Sequence, residues 1–172
     1  FGTAKVKPGK KVAVEKDGAV TEYTAEHIGV ATGARSRELP NLPQDGKKVI
    51  GYRQALTLPT QPKSMIVVGS GAIGVEFAYF YATLGTQVTV VEFMPNIVPV
   101  EDEDVSKHLE KSFKKAKIKV MTNASVESVD TSGEGVKAQV KTEKGVVELQ
   151  ADILLSAVGI TANIENIGLE EV

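Results

Sequence analysis

Residues 65–76 read MIVVGSGAIGVE, from Met65 to Glu76, and combine a short apolar run with three glycines spaced G-x-G-x-x-G. The run before the glycines is typical of a buried strand, and the apolar-rich segment after them is typical of a helix. Gly69 allows a sharp turn off the strand, Gly71 allows a phosphate to approach the backbone, and Gly74 allows the helix to pack closely on the sheet. Free N–H groups and the positive end of the helix dipole attract an anion there. The stretch therefore predicts a dinucleotide-binding turn.

A second strand-like run, Val88–Val91, ends in Glu92, which lies 23 residues after Gly69. At this distance a carboxylate can accept hydrogen bonds from the hydroxyl groups of an adenosine ribose. The same carboxylate would repel a 2′-phosphate, and no Arg or Lys follows Glu92 until Lys107. The pattern favours NAD over NADP. The alternative interpretation is a tight strand-to-helix turn that binds no ligand.

The composition is that of a soluble globular protein. The chain has 172 residues, of which 42% are hydrophobic, and a formal net charge of −2, which argues against nucleic-acid binding. No apolar run is long enough to cross a bilayer, and the N-terminus is not typical of a secretory signal, so we expect no membrane association and a cytoplasmic location. Cysteine is absent. Disulfides, thiolate metal sites and thiol redox chemistry are therefore excluded within these residues.

Residues 1–34 predict a β-rich segment. Lys11–Val14 and Ala19–Thr24 flank Asp17-Gly18, which is typical of a hairpin turn. A further strand over Ala25–Ala31 is expected to end at the turn Thr32–Ala34, where a glycine and a hydroxyl can approach a ligand closely. Four prolines between residues 40 and 62 then indicate a connecting segment on the surface, with the domain boundary near residues 41–60.

The remaining residues predict two helices and a parallel sheet. Ala72–Leu84 is apolar nearly all round, which indicates a helix buried between the sheet and another layer, ended by Gly85. Glu101–Ala116 has acids at its start and lysines at its end, as in a helix with one solvated face. Ile118–Met121 is predicted as the third parallel strand of a βαβαβ unit. Three alternating segments between residues 125 and 149 predict an antiparallel meander, and Asp152–Gly159 predicts a further buried strand.

No catalytic or metal-binding constellation is evident in the sequence. His27 and His108 are isolated, and neither has a partner at a metal-ligand spacing. A G-x-S-x-G nucleophile elbow and a phosphate-loop lysine are also missing. We therefore predict no catalytic residue and no metal site in the chain.

Six segments together resemble the flavin-dependent pyridine nucleotide-disulfide oxidoreductases. In chain order they are Ala31–Ala34, Met65–Glu76, Val90–Phe93, Thr122–Val126, Asp152–Gly159 and Glu165–Glu170. The resemblance covers essentially the whole chain but only the middle of the family's length, and it is strongest to the members that oxidise dihydrolipoyl groups. It implies an α/β fold, with a Rossmann-like NAD-binding domain that combines a parallel βαβαβ sheet with an antiparallel meander. The implied ranges are 1–40 for the β-rich C-terminal piece of a split FAD-binding domain, 41–60 for a connecting segment and 61–172 for the NAD-binding domain.

The resemblance also implies the residues of the cofactor sites. Those expected to hold the NAD pyrophosphate and to reach toward the nicotinamide are Gly69, Ser70, Gly71, Ala72, Ile73, Gly74, Val75 and Glu76. Glu92 would contact the adenosine ribose, Val126 the adenine and Gly159 the nicotinamide side. In the intact enzyme, FAD would be contacted by Gly2, Thr32, Gly33 and Ala34. Glu76 matches a family glutamate that pairs with a lysine beside the redox cysteines, and because that lysine is absent we expect Glu76 near the cofactor but not catalytic.

The sequence departs from the family in one loop and lacks the family's redox residues. After Gly159 the family reads Arg-x-Pro-Asn, whereas here Ile160-Thr161-Ala162 precedes Asn163, so only the asparagine is kept. The redox cysteine pair, the glycine motif for FAD and the His-Glu base pair are also absent. We therefore expect the chain alone to bind NAD(H) weakly and to catalyse nothing.

For the intact parent, the resemblance implies electron transfer from dihydrolipoyl groups through a disulfide and FAD to NAD. Its partner would be the lipoyl domain of a 2-oxo acid dehydrogenase complex, and it would form a homodimer through a domain outside this chain. Two alternatives remain open. One is another flavoprotein disulfide reductase, and the other is a stand-alone NAD-binding sensor or scaffold.

Overall fold

The computed structural model describes all residues from Phe1 to Val172. The chain forms two compact units, which are Phe1–Arg35 together with Thr161–Val172, and Ser36–Ile160. These ranges differ from those expected from the sequence. The C-terminal residues group with the N-terminal segment, and residues 36–60 group with residues 61–160.

The first unit contains an antiparallel meander of three strands, β1 (Thr3–Lys7), β2 (Lys11–Lys16) and β3 (Ala19–Thr24). The predicted hairpin between β2 and β3 is confirmed, with Lys16 paired to Ala19 across the turn. Asp17 and Gly18 both have positive φ, at 51° and 80°. This backbone twist matches the twist of the flanking strands, which is why Asp-Gly favours such turns.

The strand predicted over Ala25–Ala31 is wrong. The backbone has no regular structure there, and only Ile28 is partly buried. Backbone N–H and C=O groups form a strand only when a neighbouring strand accepts and donates their hydrogen bonds. No strand of the chain pairs with these residues, so the apolar run stays irregular. Regular pairing resumes at β4 (Ala34–Ser36), which forms a two-stranded sheet with a strand near the C-terminus, Ile160–Ala162.

The second unit is built on a five-stranded parallel sheet, and the predicted βαβαβ unit is confirmed. Its strands are β5 (Val49–Ile50), β6 (Ser64–Val68), β7 (Gln87–Val91), β8 (Lys119–Met121) and β12 (Ile153–Ser156), in the spatial order β5-β12-β6-β7-β8. All neighbouring strands run parallel. The central strand is the apolar run that precedes the glycines.

The two faces of this sheet are covered by different layers, because alternate side chains of a strand point to opposite faces. Met65 and Val67 of β6 pack with the helices on one face. Ile66 and Val68 pack on the other face with the predicted meander, whose Ala138 is fully buried. The meander strands are β9 (Ser125–Asp130), β10 (Val136–Thr142) and β11 (Gly145–Ala151).

The two predicted helices form where the sequence placed them, the burial predicted for the first is wrong, and a further short helix was not predicted. The short helix α1 (Tyr52–Ala55) precedes β6, α2 (Ala72–Thr83) joins β6 to β7, and α3 (Glu103–Lys115) joins β7 to β8. The end of α2 at Gly85 is confirmed, with φ of 100°. Its burial all round is wrong, since Tyr79 and Phe80 are 59% and 53% exposed. No helix of the chain is both long and apolar enough to span a membrane.

Residues 41–60, whose prolines suggested a surface connecting segment, also contribute buried side chains and a strand. Leu42, Val49 and Ile50 are at most 2% exposed, and the last two form the edge strand β5. Asp45 organises the turn before this strand by accepting hydrogen bonds from the backbone N–H groups of residues 47, 48 and 49. Burial raises the pKa of Asp45, but these three hydrogen bonds together hold it below its ordinary value. Two paired residues are too few to show a periodicity in the sequence, so tertiary pairing alone defines this strand.

Candidate functional site

A cavity of about 670 Å³ opens in the second unit at the carboxyl ends of β6, β7 and β12. In open α/β sheets, ligands bind in a crevice outside the carboxyl ends of the strands. The lining of this cavity is mostly apolar and backbone, with few polar side chains. It contains the glycine turn after β6, the residues that follow β7, and the Ala157–Ile160 segment that follows β12.

Each of the three positions of the turn is occupied by glycine for a different structural reason. Gly69 has φ of +95°, and a Cβ there would lie 2.5 Å from the carbonyl oxygen of Ala157. A Cβ on Gly74 would collide with the carbonyl oxygen of Gly69, so the helix could not approach the strand this closely. Gly71 is different, because its φ is −65° and a Cβ would meet no atom within 4 Å. Gly69 and Gly74 are thus required by the fold, while Gly71 keeps open a space at the start of α2.

Glu92 lies at the carboxyl end of β7 and is only 6% exposed. Its Oε2 accepts hydrogen bonds from the backbone N–H and the hydroxyl of Ser70, at 2.8 and 2.6 Å. Its Oε1 accepts a hydrogen bond from the backbone N–H of Met94, at 2.8 Å. The buried charge is therefore stabilised by three donors, and the carboxylate is fixed at the wall of the cavity, which it also lines.

The structure brings most of the predicted NAD-site residues together. Those that line the cavity are Gly69, Ser70, Gly71, Ala72, Ile73, Glu92, Val126 and Gly159. Gly74 and Val75 are buried in the packing of α2 and do not line it. Glu76 is exposed on α2, also outside the cavity lining. The predicted set therefore divides into residues that line the cavity and three residues of α2, Gly74, Val75 and Glu76, that do not.

The predicted FAD-site residues lie in the first unit. Asn163 donates hydrogen bonds to the carbonyl oxygens of Thr32, through its side chain at 3.3 Å, and of Gly33, through its backbone at 2.9 Å. Gly33 has φ of 77°, so glycine is favoured at this turn. A Cβ on Gly2 would collide with the carbonyl oxygen of Glu15. Close packing on β2 is by itself a sufficient reason for that glycine.

An ion pair fixes Asn163 and its neighbours in the same unit. The Arg35 guanidinium lies 2.6 Å from Glu165 and donates a hydrogen bond to Asn163 Oδ1 at 2.8 Å. The hydrogen bond from Arg35 lowers the pKa of Glu165 to about 2. The turn at Thr32–Ala34 is therefore connected, through Asn163, to the Arg35–Glu165 ion pair.

Sequence reasoning missed the segment that forms one wall of the cavity. Arg37, Leu39, Asn41 and Leu42 all line it, and Phe93 and Met94 line it beyond Glu92. Asn41 donates a hydrogen bond to the carbonyl oxygen of Val126 at 2.5 Å. The signal available in the sequence was the apolar pair of leucines among the prolines, which a surface linker would not require.

The arrangement suits a ligand with an anionic centre and a hydroxyl-bearing group. At the start of α2, unpaired backbone N–H groups and the helix dipole favour negative charge. Beside it, the fixed Glu92 carboxylate can accept a hydrogen bond from a hydroxyl group. The open space at Gly71, next to this carboxylate, fits a pyrophosphate joined to a ribose. These are the parts of a dinucleotide.

Comparison with known proteins gives a consistent assignment. The model of the pyridine nucleotide-disulphide oxidoreductase family matches residues 2–172. A dihydrolipoyl dehydrogenase of Rhizobium etli is 44% identical over 186 aligned residues, which cover 99% of this chain and 39% of the relative.

Two solved structures extend this similarity to the fold. LpdA of Mycobacterium tuberculosis superposes with a TM-score of 0.85 at 32% identity, over 99% of this chain and 38% of its own. The HOCl-induced flavoprotein disulfide reductase RclA of Escherichia coli superposes with a TM-score of 0.80 at 26% identity, again over 99% of this chain and 38% of its own. The chain thus spans about two fifths of the length of these three proteins.

Proposed function

This chain belongs to the pyridine nucleotide-disulphide oxidoreductase family, and we propose that its second unit is the NAD(H)-binding part of a flavin-dependent dihydrolipoyl dehydrogenase. The observation that carries the proposal is the open space at Gly71 beside the buried Glu92 carboxylate. The similarity to a dihydrolipoyl dehydrogenase at 44% identity supports the choice of enzyme.

Each part of the cavity has a proposed role in holding the dinucleotide. The backbone from Gly69 to Ile73 holds the pyrophosphate, and Glu92 accepts a hydrogen bond from the adenosine ribose. Val126 packs beside the adenine, and Gly159 lies on the nicotinamide side. Gly74 and Val75 fix the helix on which Glu76 faces the nicotinamide and the flavin. When bound, NAD supplies a nicotinamide ring that can accept a hydride, while the residues of this chain bind and orient it.

Discrimination between NAD and NADP tests this assignment directly. Glu92 is a buried carboxylate without an adjacent cation, so a 2′-phosphate beside it would be repelled. In calorimetric titrations of the purified chain, we expect NADH to bind and NADPH to bind at least about tenfold more weakly, about 1.4 kcal/mol. AMP and adenosine 2′,5′-bisphosphate form a matched pair that isolates the 2′-phosphate, and they should show the same ratio. Equal affinities within each pair would contradict the proposed role of Glu92.

We propose that the β-rich residues 1–35, the part of the expected range 1–40 that lies outside the second unit, are the C-terminal piece of a split FAD-binding domain. The contacts to FAD would come from Gly2 and from Thr32, Gly33 and Ala34. The fixed turn at Gly33, with its positive φ and its hydrogen bond from Asn163, supports this role. The expected connecting segment at 41–60 and NAD-binding domain at 61–172 are replaced in this proposal by an NAD-binding unit over residues 36–160. Residues 36–60 group with residues 61–160 and contribute the buried side chains of Leu42, Val49 and Ile50.

In the parent enzyme, electrons would pass from dihydrolipoamide through a redox disulfide and FAD to NAD. The partners would be a lipoyl domain of a 2-oxo acid dehydrogenase complex and a second copy of the parent. The parent would be located in the cytoplasm. The 172 residues contain no cysteine, so we propose that they catalyse no part of this transfer alone. Lipoamide-dependent turnover of NADH by the purified chain, without added flavoprotein, would contradict this.

A second candidate is the corresponding part of another flavoprotein disulfide reductase. The similarity to RclA over 99% of the chain favours it, as does the replacement of the family's Arg-x-Pro by Ile160-Thr161-Ala162. Assays of the purified parent enzyme, which contains the redox disulfide, separate the two. Turnover of lipoamide with NADH supports the first candidate, and turnover of other disulfides but not of lipoamide supports the second.

A further inference from the structure

We propose that Arg37 supplies the positive charge that binds the phosphate on the nicotinamide side of the dinucleotide. This inference rests on the NAD(H)-binding role proposed above. Arg37 directly follows β4, ahead of the proline-rich segment, and nothing in the glycine motif points to it.

The position of Arg37 at the end of β12 is fixed by its backbone. Its N–H donates a hydrogen bond to the carbonyl oxygen of Gly159 at 3.0 Å. A Cβ on Gly159 would lie 4.0 Å from Arg37 Cδ, so the stem of the arginine passes over the glycine. The side chain is exposed and lines the cavity. Its guanidinium has no hydrogen-bond or ion-pair partner within the chain.

The order of the strands places Arg37 and Glu92 on opposite sides of the glycine turn. Glu92 follows β7, Gly159 follows β12, and the turn follows β6, which lies between those two strands. A dinucleotide with its adenosine ribose at Glu92 and its pyrophosphate over Gly71 extends its second half toward β12. That half reaches Arg37.

The charges of the cavity lead to the same assignment. Arg37 and Glu92 are the charged residues in the lining, and Arg37 is the cation. The residue after Gly159 is Ile160, which is 57% exposed and brings no charge to this end of the sheet. A pyrophosphate carries two negative charges, and the N-terminus of α2 offers only partial positive charge. A guanidinium binds phosphate oxygens with two parallel N–H donors, so Arg37 can neutralise the phosphate charge that the N-terminus of α2 leaves uncompensated.

The test compares Arg37→Gln with Arg53→Gln, which removes the same charge outside the cavity. Calorimetric titration with NADH should give a Kd about tenfold higher for Arg37→Gln, about 1.4 kcal/mol, and an unchanged Kd for Arg53→Gln. AMP carries only the adenosine-side phosphate, so its Kd should change less than twofold. Because added salt screens an exposed charge, the affinity of the wild type for NADH should fall more steeply with salt than that of Arg37→Gln. Arg37→Gln should melt like the wild type, since the Arg37 side chain has no partner in the chain.

The outcomes separate this inference from the proposal on which it rests. A wild type that binds neither NADH nor AMP overturns the NAD(H)-binding role itself. A wild type that binds NADH, with Arg37→Gln binding it equally well and with the same salt dependence, overturns only the role of Arg37. Equal losses for NADH and AMP place Arg37 at the adenosine side and also overturn the inference. Arg37→Lys keeps the charge without the paired donors, and a Kd between those of the wild type and Arg37→Gln supports it.

Discussion

Alanine substitutions at Gly71 and Gly74 should separate binding from folding within one turn. Gly71 has ordinary φ and ψ, −65° and −179°, and its Cβ would meet no atom within 4 Å. Gly74 would place its Cβ against the carbonyl oxygen of Gly69, which is backbone and cannot rotate away. The same chemical change, one methyl group, therefore meets empty space in one case and the strand-to-helix turn in the other.

The expected magnitudes follow from these surroundings. Gly71→Ala should leave the free energy of unfolding unchanged or raise it by about 0.4–1 kcal/mol, because alanine restricts the unfolded chain. Gly74→Ala should lower it by about 1–3 kcal/mol or more, as for overpacked cores. In the cavity, the Gly71→Ala methyl group would hold a phosphate away from the backbone N–H donors. Losing one hydrogen bond to a charged group costs about 1.5–3 kcal/mol, which corresponds to roughly a 10- to 150-fold higher Kd for NADH.

Urea unfolding followed by circular dichroism measures the first quantity, and calorimetric titration with NADH measures the second. Gly29→Ala in the first unit is a matched control, because its Cβ would also meet no atom within 4 Å and it lies outside the cavity. It should leave NADH binding unchanged and, like Gly71→Ala, leave the free energy of unfolding unchanged or raise it by about 0.4–1 kcal/mol. If Gly71→Ala unfolds as easily as Gly74→Ala, the opening at Gly71 is structural. If it binds NADH like the wild type, the pyrophosphate is not held there.

Two further predictions concern buried hydroxyls and acid stability. The Ser156 hydroxyl is buried without a hydrogen-bond partner, whereas the Thr86 hydroxyl donates a hydrogen bond to the carbonyl oxygen of Pro62 at 2.7 Å. In urea unfolding, Ser156→Ala should leave the free energy of unfolding unchanged or raise it, and Thr86→Val should lower it by about 1–3 kcal/mol. Equal losses of stability in the two variants would contradict this difference. Because Arg35 lowers the pKa of Glu165 to about 2, the ion pair stabilises the chain above the ordinary glutamate pKa and loses this effect as the pH falls through the range from about 4.3 to about 2. Carboxyl NMR titration should give a Glu165 midpoint near pH 2, and Glu165→Gln should lose less stability than the wild type over this pH range. A midpoint at the ordinary glutamate pKa would contradict the stabilising effect of the Arg35–Glu165 ion pair.

The sequence predicted the elements whose structure depends on short-range patterns. The strand before Gly69 is visible in its run of apolar side chains. The sharp turn at Gly69 and the tight contact at Gly74 are visible in the missing side chains of the same segment. The Asp17-Gly18 hairpin was predictable for the same reason, since two residues with positive φ define the turn. The alternating meander was predictable because one of its faces is buried.

The incorrect sequence predictions concern segments whose structure depends on contacts with distant residues. Val49 and Ile50 become a strand only because Leu154 and Leu155 pair beside them. The run over Ala25–Ala31 has the composition of a strand but no neighbour to pair with. The cavity wall at Arg37 was missed for the same reason, because only the hydrogen bond to the distant Gly159 places it at the site. Local composition carries no information about these contacts.

Glu92 has a proposed role at the adenosine ribose and an observed role in holding the glycine turn, which the sequence could not reveal. A carboxylate offers about four acceptor positions, and Ser70 and Met94 already use three of them. About one position is left for a ribose hydroxyl, and the carboxylate is held in place before any ligand arrives, which lowers the entropy lost on binding. A glutamine at this position has one acceptor oxygen, so it would leave a donor facing the N–H of Ser70 or of Met94. Weaker binding by Glu92→Gln would therefore combine a lost ribose contact with a displaced glycine turn. Gly71→Ala avoids this ambiguity, because at Gly71 a Cβ meets none of the surrounding structure.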